Sequence, residues 1–392
     1  MERIRMVTRF WRFGATVSVL TAIALGCEPL QLAAVAQGLS PDTDILYVGD
    51  DSDNTIKIFR ASDGTSLNGA NGAFIAHGGG LHGPMGLLIA GPQLIVDNQN
   101  VNLPIGGEIS QYQLNNGSFA GTWVSKSDPN APFAPRGAVI KNGVLYVANL
   151  VEEGGSSLLS EVKAFGGDGE FLGAFTPSGA TAFHPRGLVV GPDGLLYATS
   201  DPCFAPNDGP TVGGQVLRFN SSNPGANGEV FIDDSPGSPS ANPPMCAPST
   251  AWVGHLNRPE GLAFGSDGNL YVTSFCAVPS TCQTSANMSD IDSIRIYQGP
   301  GGLSPGTLLG QINLDAYAAK LGQTRGTAQA LVFGPSGKLF VPITLRPALV
   351  GQVVSCDVGA KACSQFTGVG TLGLPFYLTF GRTDSATLAY PE

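Results

Sequence analysis

One pattern recurs along the chain, and it fixes most of what the chain can fold into. Arg258–Val272 reads RPEGLAFGSDGNLYV, His184–Ala198 reads HPRGLVVGPDGLLYA, and Thr327–Val341 reads TAQALVFGPSGKLFV. Ala134–Val147 (APRGAVIKNGVLYV), Gly83–Val96 (GPMGLLIAGPQLIV) and Leu374–Phe380 (LPFYLTF) are shorter versions. Each joins an apolar stretch to a β-branched or aromatic one, in most through a glycine-centred turn, which predicts a β-hairpin. A third strand follows: TIKIF at 55–59, EISQY at 108–112, EVKAF at 161–165, QVLRF at 215–219, SIRIY at 293–297 and QVVSC at 352–356. A fourth, less regular strand comes next, as at Glu170–Thr176 and Thr307–Asn313.

With the strands called a, b, c and d, five complete sets run from Pro84 to about Gly368. The N-terminal part supplies b, c and d (Ile45–Val48, Thr55–Phe59 and roughly 72–77) without an a strand. The C-terminal part supplies an a strand, Tyr377–Phe380, without c or d. Pairing the two ends closes a ring and leaves only short protected edges. The expected fold is all-β: a six-bladed β-propeller with four-stranded blades, one of them shared between the N- and C-terminal strands. Thr387–Tyr390 is left over, either as a rival to Ile45–Val48 or as a segment outside the blades. The chain's 54 glycines, 29 prolines and 13% charged residues suit short strands and tight turns. One short helix is expected near Leu314–Leu321.

These sets resemble the NHL repeat, with its Pro-x-Gly start, glycine turn, Tyr-Val-x-Asp/Asn strand and Ile-x-x-Phe strand. The resemblance covers nearly all of the chain after residue 36 and implies a propeller fold, which hosts many unrelated functions.

The first 36 residues read as an export signal. Arg3, Arg5, Arg9 and Arg12 form a basic start, residues 13–27 an apolar run of 15, and Ala34-Val35-Ala36 a cleavage box. The run is shorter than the ~20 residues of a membrane span. Ala24-Leu25-Gly26-Cys27 offers a second reading, lipoprotein anchoring at Cys27. Both take residues 37–392, read as a single domain, to the periplasm or outside the cell. The signal holds four of the 20 basic and two of the 30 acidic residues, so 16 stand against 28 beyond it. No basic run follows residue 36, which argues against nucleic acid as a partner.

Six cysteines remain, an even number for an oxidising compartment. Cys203–Cys246 and Cys276–Cys282 are expected to staple long loops, and Cys356–Cys363 to staple a c–d hairpin. The a–b turns are tight, as in Gly191-Pro-Asp-Gly194, whereas 201–214, 233–257, 275–292 and 314–326 are long and share the opposite face. Long loops on a rigid scaffold are where binding residues gather.

On that face the residue between Pro and Gly opens each innermost strand. The series is Met85, Arg136, Arg186, Glu260, Gln329 and Phe376. In gluconolactonase-like propellers, which the chain resembles more distantly, such positions help hold a divalent cation, and Glu260 alone fits that pattern. Arg136 and Arg186 suit a carboxylate or sulfate instead; an internal Arg–Glu network is the structural alternative. His82, His184 and His255 fall in d–a loops of the same face and form a candidate metal set for calcium or zinc. The amidating-lyase propellers hold zinc by histidines near these strand starts, but no x position here is histidine. Asp50, Asp97, Asn149, Ser200 and Ser274 recur at the end of strand b, where short polar side chains satisfy turn amides. Two functions follow as expectations. One is an exported module binding a peptide, glycan, protein or small anionic ligand through its long-loop face. The other is a metal-dependent, lactonase-like hydrolase or lyase at the channel mouth.

Overall fold

The computed structural model describes residues 43–78, 80–100, 106–151, 160–176, 183–200, 214–223, 228–234, 253–278, 282 and 290–391. The expected signal segment and the Cys203–Cys246 pair lie outside the described residues. The described residues belong to one compact unit, Val35–Glu392.

Hairpin alternation makes six antiparallel sheets arranged as the blades of a six-bladed β-propeller. The second to fifth blades each run a–b–c–d from the centre outward, starting at Pro84–Ala90, Ala134–Lys141, Pro185–Val190 and Leu262–Phe264. The sixth begins with an interrupted inner strand, Arg325–Ala328 then Val332–Phe333, both paired with Leu339–Arg346. In the first blade, Pro375–Phe380 from the C-terminal end pairs with Ile45–Asp50 from the N-terminal end. Its outermost strand is reduced to isolated bridges, Ile56 with Ile75 and Phe59 with Ser66. The single α-helix among the described residues spans Leu314–Lys320, capped by Asn313, whose side chain accepts from the Ala316 amide.

Six apolar clusters are found, one at each junction between neighbouring blades. The alternation within each strand explains this, because successive side chains point to opposite faces of a sheet that is covered on both sides. Close approach at the centre explains the glycine of Pro-x-Gly. A Cβ on Gly137 would lie 2.8 Å from the Arg186 carbonyl oxygen, and one on Gly187 2.5 Å from that of Glu260. Glycine therefore lets each inner strand sit against the next one around the ring.

Two copies depart from this rule, the sixth blade's with Ala330 and the first blade's, Leu374–Phe380, with Tyr377. In the latter the side chain is a phenol. Its hydroxyl donates to the Arg186 carbonyl oxygen at 3.2 Å, from the first blade to the fourth, which lies opposite in a ring of six. The phenol thus crosses the central channel. Thr387–Tyr390, left open by the sequence, is not a strand b. It belongs to a tail at the short-turn face, where the Ile140 and Val190 amides donate to the Ser385 and Ala386 carbonyls at 2.9 Å. Leu388 packs against four of the six clusters. Its φ of 54° lies in the left-handed region that favours glycine, so packing rather than backbone preference holds it there.

Candidate functional site: a guanidinium-lined central cavity

Each inner strand begins, and each strand b ends, at the long-loop face. Side chains at those points converge on a central cavity of about 530 Å³. The x residues Met85, Arg136, Arg186, Glu260, Gln329 and Phe376 all line it. Five arginines face it in total, the other three being Arg258, Arg325 and Arg346, against two carboxylates, Asp51 and Glu260. Gln99 and Thr327 add polar atoms, and Phe275 joins Phe376 as an aromatic wall.

Local contacts aim these arginines. The Arg186 Nη1 lies 3.6 Å from Glu260 Oε1, and both side chains are almost fully buried. This is the internal Arg–Glu contact that the sequence offered as an alternative, and it coexists with an open cavity. Arg136 Nη1 donates to the Met85 sulfur at 3.4 Å. Arg325 makes a two-pronged bond to Asp292, Nε to Oδ2 at 2.6 Å and Nη2 to Oδ1 at 2.7 Å, which fixes its plane. Arg258 stacks on Phe275 at 5.5 Å from the ring centroid. Burial pushes the Asp51 carboxyl above its ordinary value, Arg136 opposes that shift, and Asp50 adds to it. Behind Arg325, Asp292 and Asp315 are buried together, and burial followed by the Asp292 charge pushes Asp315 up to about 8.

The histidines do not meet. His82 faces His77, with ring centroids 6.5 Å apart, and donates its amide to Asn98. His184 is buried and donates its amide to Ser200. His255 Nδ1 lies 3.2 Å from Asp234 Oδ1, while Asp234 Oδ2 takes Arg295 and Tyr297. Among the described residues, the group of three ligand atoms close enough for one metal ion is Cys276, Cys282 and Asp290 instead. In it the two sulfurs are already joined as a disulfide, and Asp290 accepts the Ala277 and Val278 amides. None of its three residues lines the cavity, and its sulfurs are not thiolates. Cys356 and Cys363, facing each other on adjacent strands, form the second disulfide among the described residues.

The strand-end series needs one correction. Register places Asn98, not Asp97, opposite the proline that opens strand a, as Asn149 stands opposite Pro135 and Ser200 opposite Pro185. Asn98, Asn149, Ser200 and Ser274 each accept an amide of the segment entering strand a. In the shared blade Asp50 accepts the amides of Gly373 and Leu374, both at 2.8 Å, and pairs with Lys57 at 2.7 Å. Burial alone would raise its pKa, but Lys57 and these amides together hold it below the ordinary value. Asp50 is therefore a clamp on the ring closure.

Sequence reasoning missed Arg325 and Arg346, because the Thr327–Val341 copy in the sixth blade has no Pro-x-Gly to set their phase. Arg258, directly before Pro259, was visible as the residue preceding the motif. The positions just after strand b (Asp51, Gln99 and Phe275) would have supplied the signal for the rest of the wall.

No protein-family model matches the chain, and no curated protein matches it. The likeness to the NHL repeat thus rests on the motifs alone. Solved structures do match. A luciferin-regenerating enzyme is similar over 85% of this chain and 93% of its own, at 14% identity and a TM-score of 0.50. A periplasmic gluconolactonase from Pseudomonas aeruginosa is similar over 86% and 98%, at 15% identity and a TM-score of 0.48. A protein from Lactobacillus plantarum is similar over 86% and 99%, at 13% identity and 0.49. At such identities the likeness shows the fold alone: a six-bladed β-propeller with gluconolactonase-like structural neighbours.

Proposed function

We propose that the protein is an exported, NHL-type binding propeller, residues 37–392 after signal removal, whose central cavity holds a small carboxylate-bearing sugar. The observation that carries this reading is the excess of guanidinium over carboxylate around one central cavity. Guanidinium groups match carboxylates in geometry and charge. The volume falls within the range of small-ligand sites, roughly 300–1,000 Å³. Phe275 and Phe376 offer apolar faces to a sugar ring, and Gln99, Gln329 and Thr327 offer partners for its hydroxyls. The paired loop cysteines Cys276 and Cys282 support an oxidising compartment.

A divalent cation at the channel mouth fits these residues poorly. Glu260 is the sole carboxylate among the x residues, and it is already ion-paired with the Arg186 guanidinium. The lactonase-like reading therefore draws support from Glu260 alone.

The test is calorimetric titration of the protein with glucuronate, glucose and calcium chloride. Glucuronate is expected to bind, weakening as salt rises, while glucose and calcium do not. Equal binding of glucose and glucuronate, or tight binding of calcium at the cavity, would sink the reading.

A further inference from the structure

Asp97 is the carboxylate that neither the cavity nor the strand-end clamps account for. It is 1% exposed, and neither of its carboxylate oxygens has a hydrogen-bond partner. An ionised carboxylate in such a place is costly, and burial alone pushes its pKa well above the ordinary value.

The slot it occupies indicates what it does. Asp97 stands opposite Gly86, one residue before the Asn98 clamp. In the fourth blade this slot holds Thr199, one residue before Ser200. The Thr199 hydroxyl accepts the Gly187 amide at 2.8 Å and donates to the Glu260 carbonyl of the next blade at 2.7 Å. In the fifth blade Thr273 accepts the Gly261 amide at 2.9 Å. A Cβ on Gly86 would strike both Asp97 Oδ2 and the Arg136 carbonyl oxygen. Asp97 therefore faces the next blade's carbonyl as Thr199 does, and that carbonyl belongs to a cavity arginine. Two acceptors held face to face repel each other unless one carries a proton.

We propose that Asp97 is a neutral carboxylic acid that donates to the Arg136 carbonyl oxygen, joining the second blade to the third and setting the backbone from which Arg136 reaches the cavity. Asp97 is thus a positioning residue. Of the elements packed around it, the third blade's inner strand contributes Arg136 and the first blade's contributes Tyr377. Its own blade contributes Met85, Gly86 and, across strand c, Ile109, none of which titrates. Burial raises the Tyr377 phenol, and the nearby Glu260 carboxylate adds to the shift against Arg136 and Arg186, so at neutral pH it carries no charge to offset.

The decisive measurement is infrared spectroscopy of the full protein at neutral pH, as the difference between wild type and Asp97→Asn. The wild type is expected to carry the stretch of a protonated carboxylic acid that D97N lacks, unchanged by chelator or by exchange of sodium for potassium. A contribution from Asp315 is common to both proteins and cancels. Asp97→Thr, which places the fourth blade's residue in the slot, should keep glucuronate affinity within about threefold, whereas Asp97→Ala should lose about tenfold. Raising the pH until the band disappears should weaken binding in wild type but not in D97T. A wild type without the band, a band that survives D97N, or a metal ion retained in its place would overturn the proposal. The infrared result does not depend on the ligand, so failure of the sugar reading would leave it standing.

Discussion

The inner strands of the propeller begin among Arg136, Arg186 and Glu260 at one face and end at Ile140 and Val190 at the other. At the first face the strand ends are polar, the loops are long, and the channel widens into a cavity. At the second the turns are tight, the tail carbonyls of Ser385 and Ala386 take the inner-strand amides, and Leu388 covers four blade junctions. Tyr377 crosses the channel between them. The same hairpin thus makes a charged mouth at one end and an apolar seal at the other.

The largest effect should come from breaking the seal. Leu388→Asp places a charge among apolar side chains and should cost about 3 kcal/mol in urea unfolding. If the seal is purely structural, glucuronate affinity in the folded fraction stays within about twofold. The converse change is Arg258→Ala at the mouth. Removing an exposed guanidinium should lower affinity about tenfold, the low end for a charge-assisted hydrogen bond, while moving stability by less than about 0.5 kcal/mol. Calorimetry and thermal melting together separate these two outcomes. Tyr377→Phe sits between the faces. Losing its bond to the Arg186 carbonyl should cost about 1 kcal/mol in unfolding free energy.

The smallest and most local effect concerns how the two faces are tied. Asp50 holds Gly373 and Leu374 by charge, whereas the opposite face is tied by backbone bonds and apolar packing. The Asp50 pKa is depressed by folding, so its contribution is complete above the unfolded carboxylate value of about 3.9 and is lost as pH falls through the folded value. Hydrogen exchange during acidification should therefore expose the Gly373 and Leu374 amides before those of Ile140 and Val190. Simultaneous exposure would mean that the closure opens as one unit and the contrast between the faces is not energetic.

Much of this was legible in the chain. Strand periodicity and the Pro-x-Gly spacing are local, so the blade count, the blade shared between the chain ends and the helix at Leu314–Lys320 could all be read. Because strands alternate direction, the same spacing also put Met85, Arg136, Arg186, Glu260 and Gln329 at one face, and they do share one cavity. The register of Asp97 against Asn98 was not legible, since a bulge between Pro84 and Gly86 shifts the pairing by one residue. A shift of one residue exchanges a clamp for a buried acid.

By itself the sequence determined the repeated hairpin, and with it the ring, its split blade and the face bearing the long loops. Tertiary structure alone decided that Arg325 and Arg346 join the cavity, that His82, His184 and His255 stay apart, and that Tyr377 and Leu388 close the channel. The physical reason is range. Strand and turn preferences act over a few residues, whereas Tyr377 and Arg186 lie 191 positions apart and meet only because closing the ring brings opposite blades within reach.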